Sequence, residues 1–171
     1  RKLSALVFVL CMMAAPALAV EPIKIGEIAT VTGDFAAYGV AEVESVKIAV
    51  EEINAAGGIL GRPVEVIMYD CRTRQEDMVN AARRLVEQDK VCVAIGPSGS
   101  GLCIAASPVF NRGQVAHLGT LPTNPLVTVD ESGKVRPYNF RICFLDPYQG
   151  KMIAAFASKH LEKKKAAVLY D

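Results

Sequence analysis

The chain has 171 residues, 51% of them apolar and 22% charged, and 19 Lys and Arg against 18 Asp and Glu leave a net charge of +1. Such a length can bury a core for one domain and the beginning of another. A near-neutral balance with no long basic block argues against nucleic acid or a membrane surface as the partner.

In chain order, residues 1–19, "RKLSALVFVLCMMAAPALA", carry two basic residues, an uncharged apolar stretch and Ala17-Leu18-Ala19. This is the layout of a secretory signal, and the stretch is too short to span a bilayer. Cleavage before Val20 or Glu21 is expected to remove Cys11 with it and to leave 17 basic against 18 acidic side chains. The exported chain is therefore disulfide-permissive.

From residue 23 one rhythm repeats. "IKIGEIA" (23–29), "VEVIMY" (64–69), "VCVAI" (91–95), "VAHLG" (115–119) and "AAVLY" (166–170) read as short strands. Between the first two, Val43, Val46, Val50 and Ile53 recur at helical spacing, and Gly57-Gly58 supplies the stop. In the next helix Thr73 and Glu76 form a capping-box pattern, and Met78, Ala81, Ala82, Leu85 and Val86 make one face. A third helix is predicted from about Gly101 to Arg112, with a kink or a late start at Pro108. The Lys163-Lys164-Lys165 run suits a solvated helix end.

Strands alternating with helices imply an α/β fold with a parallel sheet covered on both faces. Right-handed crossovers then place every β-to-α loop on one edge. Three loops there are chemically unusual: "TVTGDFAAYG", "GPSGSG" and "GTLPTNPLVT". Ligands of open α/β sheets bind beyond the carboxyl ends of strands, where these loops meet.

"GPSGSG" (96–101) invites a phosphate reading, which fails residue by residue. Gly96 and Gly101 have phosphate-loop spacing, but Leu102-Cys103 stand where lysine and a hydroxyl residue are required. The order G-x-x-G-x-G is not the dinucleotide fingerprint. Around Ser98, Ser100 occupies the last glycine of a nucleophile elbow, and Ser98 itself is expected at the rim. Two readings remain: a small-anion pocket of helix-end N–H groups with the Ser100 hydroxyl, or a tight turn that Ser100 merely caps. Thr120 and Thr123 add hydroxyls from the neighbouring loop, where Thr-Asn-Pro is also good turn chemistry.

Four cysteines follow residue 19. Cys92 and Cys143 lie in apolar runs and are expected as buried free thiols, whereas Cys71 and Cys103 flank turns. His117 and His160 stand alone, with no Cys-x-x-Cys or His-Cys cluster, so neither a metal nor another cofactor is expected.

"IKIGEIATVTGDFAAYG", "AVEEINAAGGILGRPVEVIMYD", "VCVAIGPSGSG" and "TLPTNPLVT" resemble successive signature segments of the type I periplasmic binding proteins for branched-chain amino acids, from about residue 23 to Asp171. The resemblance implies two α/β lobes, each a parallel sheet with helices on both faces, holding a ligand between them. Residues 20–140 would form an incomplete N-terminal lobe, and 141–171 the crossover and the start of a truncated second lobe. The same resemblance implies that Ser100, with Gly101 beside it, holds the ligand carboxylate. It also implies that Thr123 contacts carboxylate and ammonium, that the Leu121 carbonyl accepts from the ammonium, and that Tyr38 walls the pocket. Members often join the loops after strands two and three by a disulfide, and Cys71 and Cys103 are the cysteines near those loops. The implied function is a monomeric, non-enzymatic periplasmic protein that captures a small amino acid or related organic acid for an ABC transporter permease. The alternative is a ligand-sensing receptor domain or amide regulator of the same fold. An exported enzyme with its catalytic groups elsewhere is the third class, and the visible loops contain no base–nucleophile pair to support it.

Overall fold

The computed structural model describes residues 20–167, so the signal-like segment and most of "AAVLY" lie outside the described residues. Its elements are β1 (Ile23–Ala29), α1 (Ala36–Ala55), β2 (Val64–Asp70), α2 (Gln75–Arg83), β3 (Val93–Ile95), α3 (Ser100–Gly113), β4 (Ala116–Gly119), β5 (Asn139–Arg141) and α4 (Asp146–Lys159). The strands form one sheet in the order β2-β1-β3-β4-β5, every neighbour parallel. The expected α/β architecture is present, with β5 from the "NFRICF" segment closing the edge.

The core lies on one face of the sheet. Ile28 and Ala94 point from the strands into a cluster made by Met78, Ala81, Ala82 and Leu85 of α2 and its π-helical continuation (Arg84–Asp89) and by Leu102, Ala106 and Phe110 of α3. Each large side chain buried there contributes about 1.5–3 kcal/mol of transfer free energy. The predicted apolar face of α2 is this surface. Among the described residues the opposite face carries α1 alone, and Gly39 is the one buried residue of that helix. The predicted stripe Val43, Val46, Val50 and Ile53 is therefore only half-buried.

Local expectations need three corrections. Thr73 does not cap α2, whose N-cap is Arg74 without a side-chain bond. Instead the Thr73 hydroxyl accepts from the Phe35 N–H and donates to the Thr32 carbonyl, each at 3.2 Å, because it faces the loop after β1. α3 has no late start: it begins at Ser100 and carries Pro108 inside. Cys92 is exposed and Cys143 half-buried, because Cys92 precedes the first residue of β3 at the amino end of the sheet. Cys71 and Cys103 are the buried pair, at the top of β2 and on the inward face of α3.

Candidate functional site

Two glycines let the carboxyl end of the sheet be built. A Cβ on Gly39 would lie 2.4 Å from the Thr30 carbonyl, so only glycine allows α1 to approach the end of β1 so closely. Gly96 has φ +82°, and its Cβ would stand 2.4 Å from the Ile28 carbonyl. This is where β3 turns into "PSGSG". The Gly96 carbonyl is held from the other side by His117 Nε2 at 2.5 Å.

His117 anchors a buried polar network. Its ring stacks on Phe110 with centroids 4.3 Å apart, and Nδ1 accepts from Asn139 Nδ2 at 3.1 Å. Asn139 Oδ1 accepts in turn from Ser107 and from Asn111. With Nε2–H donating to Gly96 and Nδ1 accepting, the imidazole is neutral. Burial pushes its pKa down to about 4, against a smaller upward pull from the Gly96 carbonyl.

Above this base, a cleft of about 470 Å³ is lined by Phe35, Tyr38, Ser98, Gly99, Ser100, Leu121, Thr123, Phe144, Asp146 and Gln149. Four of the residues expected in the site, Ser100, Thr123, Leu121 and Tyr38, therefore meet around one space. Gly101 does not line it; its α-carbon faces Gln75 of α2, 3.3 Å from where a Cβ would stand. Ser100 opens α3, whose first turn has N–H groups without intrahelical acceptors. Its hydroxyl oxygen accepts from the Asn124 N–H at 3.3 Å, leaving the O–H free to donate. Phe35 and Tyr38 meet edge to face at 6.3 Å and form an apolar wall.

Sequence reasoning did not foresee the shared partner of two hydroxyls and missed four residues in and around the cleft. Ser98 is half-buried at the cleft wall with its hydroxyl turned to α1, and Thr120 is not among the residues lining the cleft; both hydroxyls donate to Glu42 Oε1. Arg141 of β5 clamps the "PTNP" loop, donating to the carbonyls of Pro122 (3.1 Å), Asn124 (2.7 Å) and Pro125 (3.1 Å) and to the Thr128 hydroxyl (2.5 Å). A charge inside the apolar run "NFRICF" was the available signal. Asp146 begins α4, and its N–H donates to the Thr123 carbonyl at 3.2 Å, which brings the crossover against the cleft. Glu42 and Glu27 had no readable signal, since both look like solvated charges in the sequence.

Glu27 sits on the α1 face of β1 with 3% exposure, and its Oε1 has no partner among the described residues. Desolvation first, and the nearby Glu42 charge second, push its pKa up to about 7. The expected disulfide does not form in the structure. Cys71 and Cys103 are free thiols, and Cys103 Sγ points to the Pro97 carbonyl at 3.4 Å. Burial drives their pKa values up to about 11 and about 12.

This geometry can be set beside known proteins. A family model described as "Periplasmic binding protein" matches residues 22–171. An amino acid binding protein of Pseudomonas aeruginosa is 33% identical over 153 residues, covering 90% of this chain and 40% of the relative. A Leu/Ile/Val-binding protein of Rhizobium johnstonii is 34% identical over 155 residues, covering 90% and 41%. Among solved structures, the branched-chain amino acid transporter substrate binding protein LivJ of Streptococcus pneumoniae, in complex with isoleucine, superposes with a TM-score of 0.75 at 34% identity. That match covers 83% of this chain and 39% of LivJ. The chain thus spans about 40% of the length of these relatives. With a match running across nearly all of the described fold, the chain belongs to the periplasmic binding protein family.

Proposed function

We propose that residues 20–140 form one wall of a binding site for a small amino acid, which the whole protein captures outside the cytoplasm and hands to an ABC transporter permease. The observation that carries this reading is the convergence of Ser100, Thr123, Leu121 and Tyr38, drawn from separate elements, on one cleft at the N-terminus of α3. The helix-end N–H groups and the Ser100 hydroxyl suit a carboxylate. The Leu121 carbonyl and Thr123 suit an ammonium, and Asp146 adds an acidic group on the crossover side. Phe35, Tyr38 and Phe144 offer apolar surface to an aliphatic side chain. The printed names of the relatives, amino acid binding and Leu/Ile/Val-binding, agree with that chemistry.

The second lobe completes the site in this reading, and residues from 141 onward lead into it. α4 has no buried residue, and its Met152, Ile153 and Phe156 stand 51%, 66% and 55% exposed, which suits a helix that belongs to that lobe. Ligand is then enclosed when the lobes close. The test is calorimetry with L-leucine and L-isoleucine on the two-lobed protein. Ser100→Ala and Thr123→Val each remove a hydrogen bond to a charged group and are expected to weaken binding roughly 10- to 150-fold. Wild-type affinity in both variants would place the site elsewhere, and binding of nucleotides but not amino acids would refute the ligand class.

A further inference from the structure

Glu42 joins three parts of the candidate site through a single oxygen. Its helix also carries Tyr38, one turn earlier on the same face. Ser98 comes from the loop after β3, two residues before Ser100, and Thr120 from the loop after β4, one residue before Leu121 and three before Thr123. Both hydroxyls donate to Glu42 Oε1. A carboxylate only accepts, so both hydroxyl rotors are set by this one partner. Glu42 Oε2 is buried and without a partner among the described residues, so solvent does not compete for the group from that side.

The surroundings give Glu42 no charged partner of its own. The described residues form two ion pairs, both made by Asp77. Beneath α1 lies Glu27, faced by Lys47 and Glu51 of α1 and by the apolar Val66 and Met68 of β2. Glu42 is therefore committed to the two hydroxyls.

We propose that Glu42 is a positioning residue that brackets the two ligand-contacting loops to the helix bearing Tyr38, so that Ser100, Leu121 and Thr123 are held in register before ligand arrives. The bracket rests on the amino acid-binding reading for its consequence, but not for its existence. Preorganisation of this kind lowers the ordering cost that binding must otherwise meet.

The test uses the two-lobed protein, with L-isoleucine as probe and amide hydrogen exchange as a ligand-free readout. Glu42→Leu is expected to speed exchange in residues 96–101 and 119–124 while leaving β1 and β2 unchanged, and to weaken L-isoleucine binding roughly tenfold or more, the scale of hydrogen bonds to a charged group. Glu42→Gln retains an oxygen that can accept both hydroxyls and should recover most of the affinity. The Ser98→Ala/Thr120→Val double variant should reproduce Glu42→Leu, and combining all three changes should cost little more, because one bracket has been removed once. Should Glu42→Leu fail to fold, the Ser98→Ala/Thr120→Val protein carries the same exchange and binding tests. Wild-type exchange in both loops, or fully additive losses, would overturn the bracket. If wild-type protein binds neither L-isoleucine nor L-leucine, the functional reading fails, and loop exchange alone still decides the bracket.

Discussion

The imidazole of His117 donates to the carbonyl of Gly96 at 2.5 Å from a fully buried position, tying β4 to the first residue of the "GPSGSG" loop. On the other face of the sheet Glu27 is almost as buried, and the two groups titrate in opposite senses. Desolvation depresses His117 to about 4 and raises Glu27 to about 7.

The first prediction concerns stability against pH. His117 stays neutral when folded, so its contribution is complete above its unfolded pKa of about 6.5 and is lost as pH falls towards 4. Glu27 keeps its proton when folded, so its contribution is complete below about 4.5 and is lost as pH rises through 7. The slopes oppose each other and flatten the wild-type profile. Glu27→Gln should unmask a rise in stability from pH 4 to 6.5, and His117→Gln a fall from pH 4.5 to 7. Each is expected to be at most about 3 kcal/mol from end to end. Denaturant melts across this range check both signs.

A second prediction concerns Arg141. Its guanidinium satisfies three carbonyls and a hydroxyl of the loop that carries Thr123. Arg141→Ala strands those acceptors and should destabilise the protein by about 2–4 kcal/mol. Arg141→Lys keeps the charge but loses the planar fork, so it should recover only part of that loss. Amide exchange should show the effect concentrated in residues 121–128. Thermal melts identical to wild type would contradict the clamp.

A third prediction concerns thiol reactivity. Cys92 is exposed, whereas Cys71 and Cys103 are fully buried with pKa values raised to about 11 and about 12. Iodoacetamide at pH 8 should modify Cys92 first and reach Cys71 and Cys103 only on unfolding. Peptide mapping against time checks the order. Rapid labelling of Cys103 in folded protein would mean that the first turn of α3 opens readily.

Much of the fold follows from local pattern. β-branched strands alternating with helices of 3.6 periodicity dictate a parallel α/β sheet, and residues 78–86 declare the core face of α2 because covalent geometry alone sets which side chains share a side. The chemistry of the "GPSGSG" loop was likewise open to reading, since the absence of a lysine and a magnesium-binding hydroxyl is a property of composition. So was the gathering of Ser100, Leu121 and Thr123, because right-handed crossovers bring their loops to one edge.

What chain order could not decide is which polar groups take one another as partners. Glu27 on β1 and Glu42 on α1 carry no mark of burial in the sequence, and only the packing of α1 on β1 shows that a carboxylate oxygen of each faces inward. Ser98 was expected at the rim and Thr120 to offer its hydroxyl beside Thr123, but Glu42, 56 and 78 residues away in sequence, takes both hydroxyls as its partners. Cys92 and Cys143 sit in apolar runs, yet burial depends on where a strand begins and ends, so of the two thiols expected inside Cys92 is exposed and Cys143 only half-buried. Periodicity determines the face a residue shares with its neighbours in the chain. Its partner across space is settled only when distant segments are brought together and every buried donor must find an acceptor.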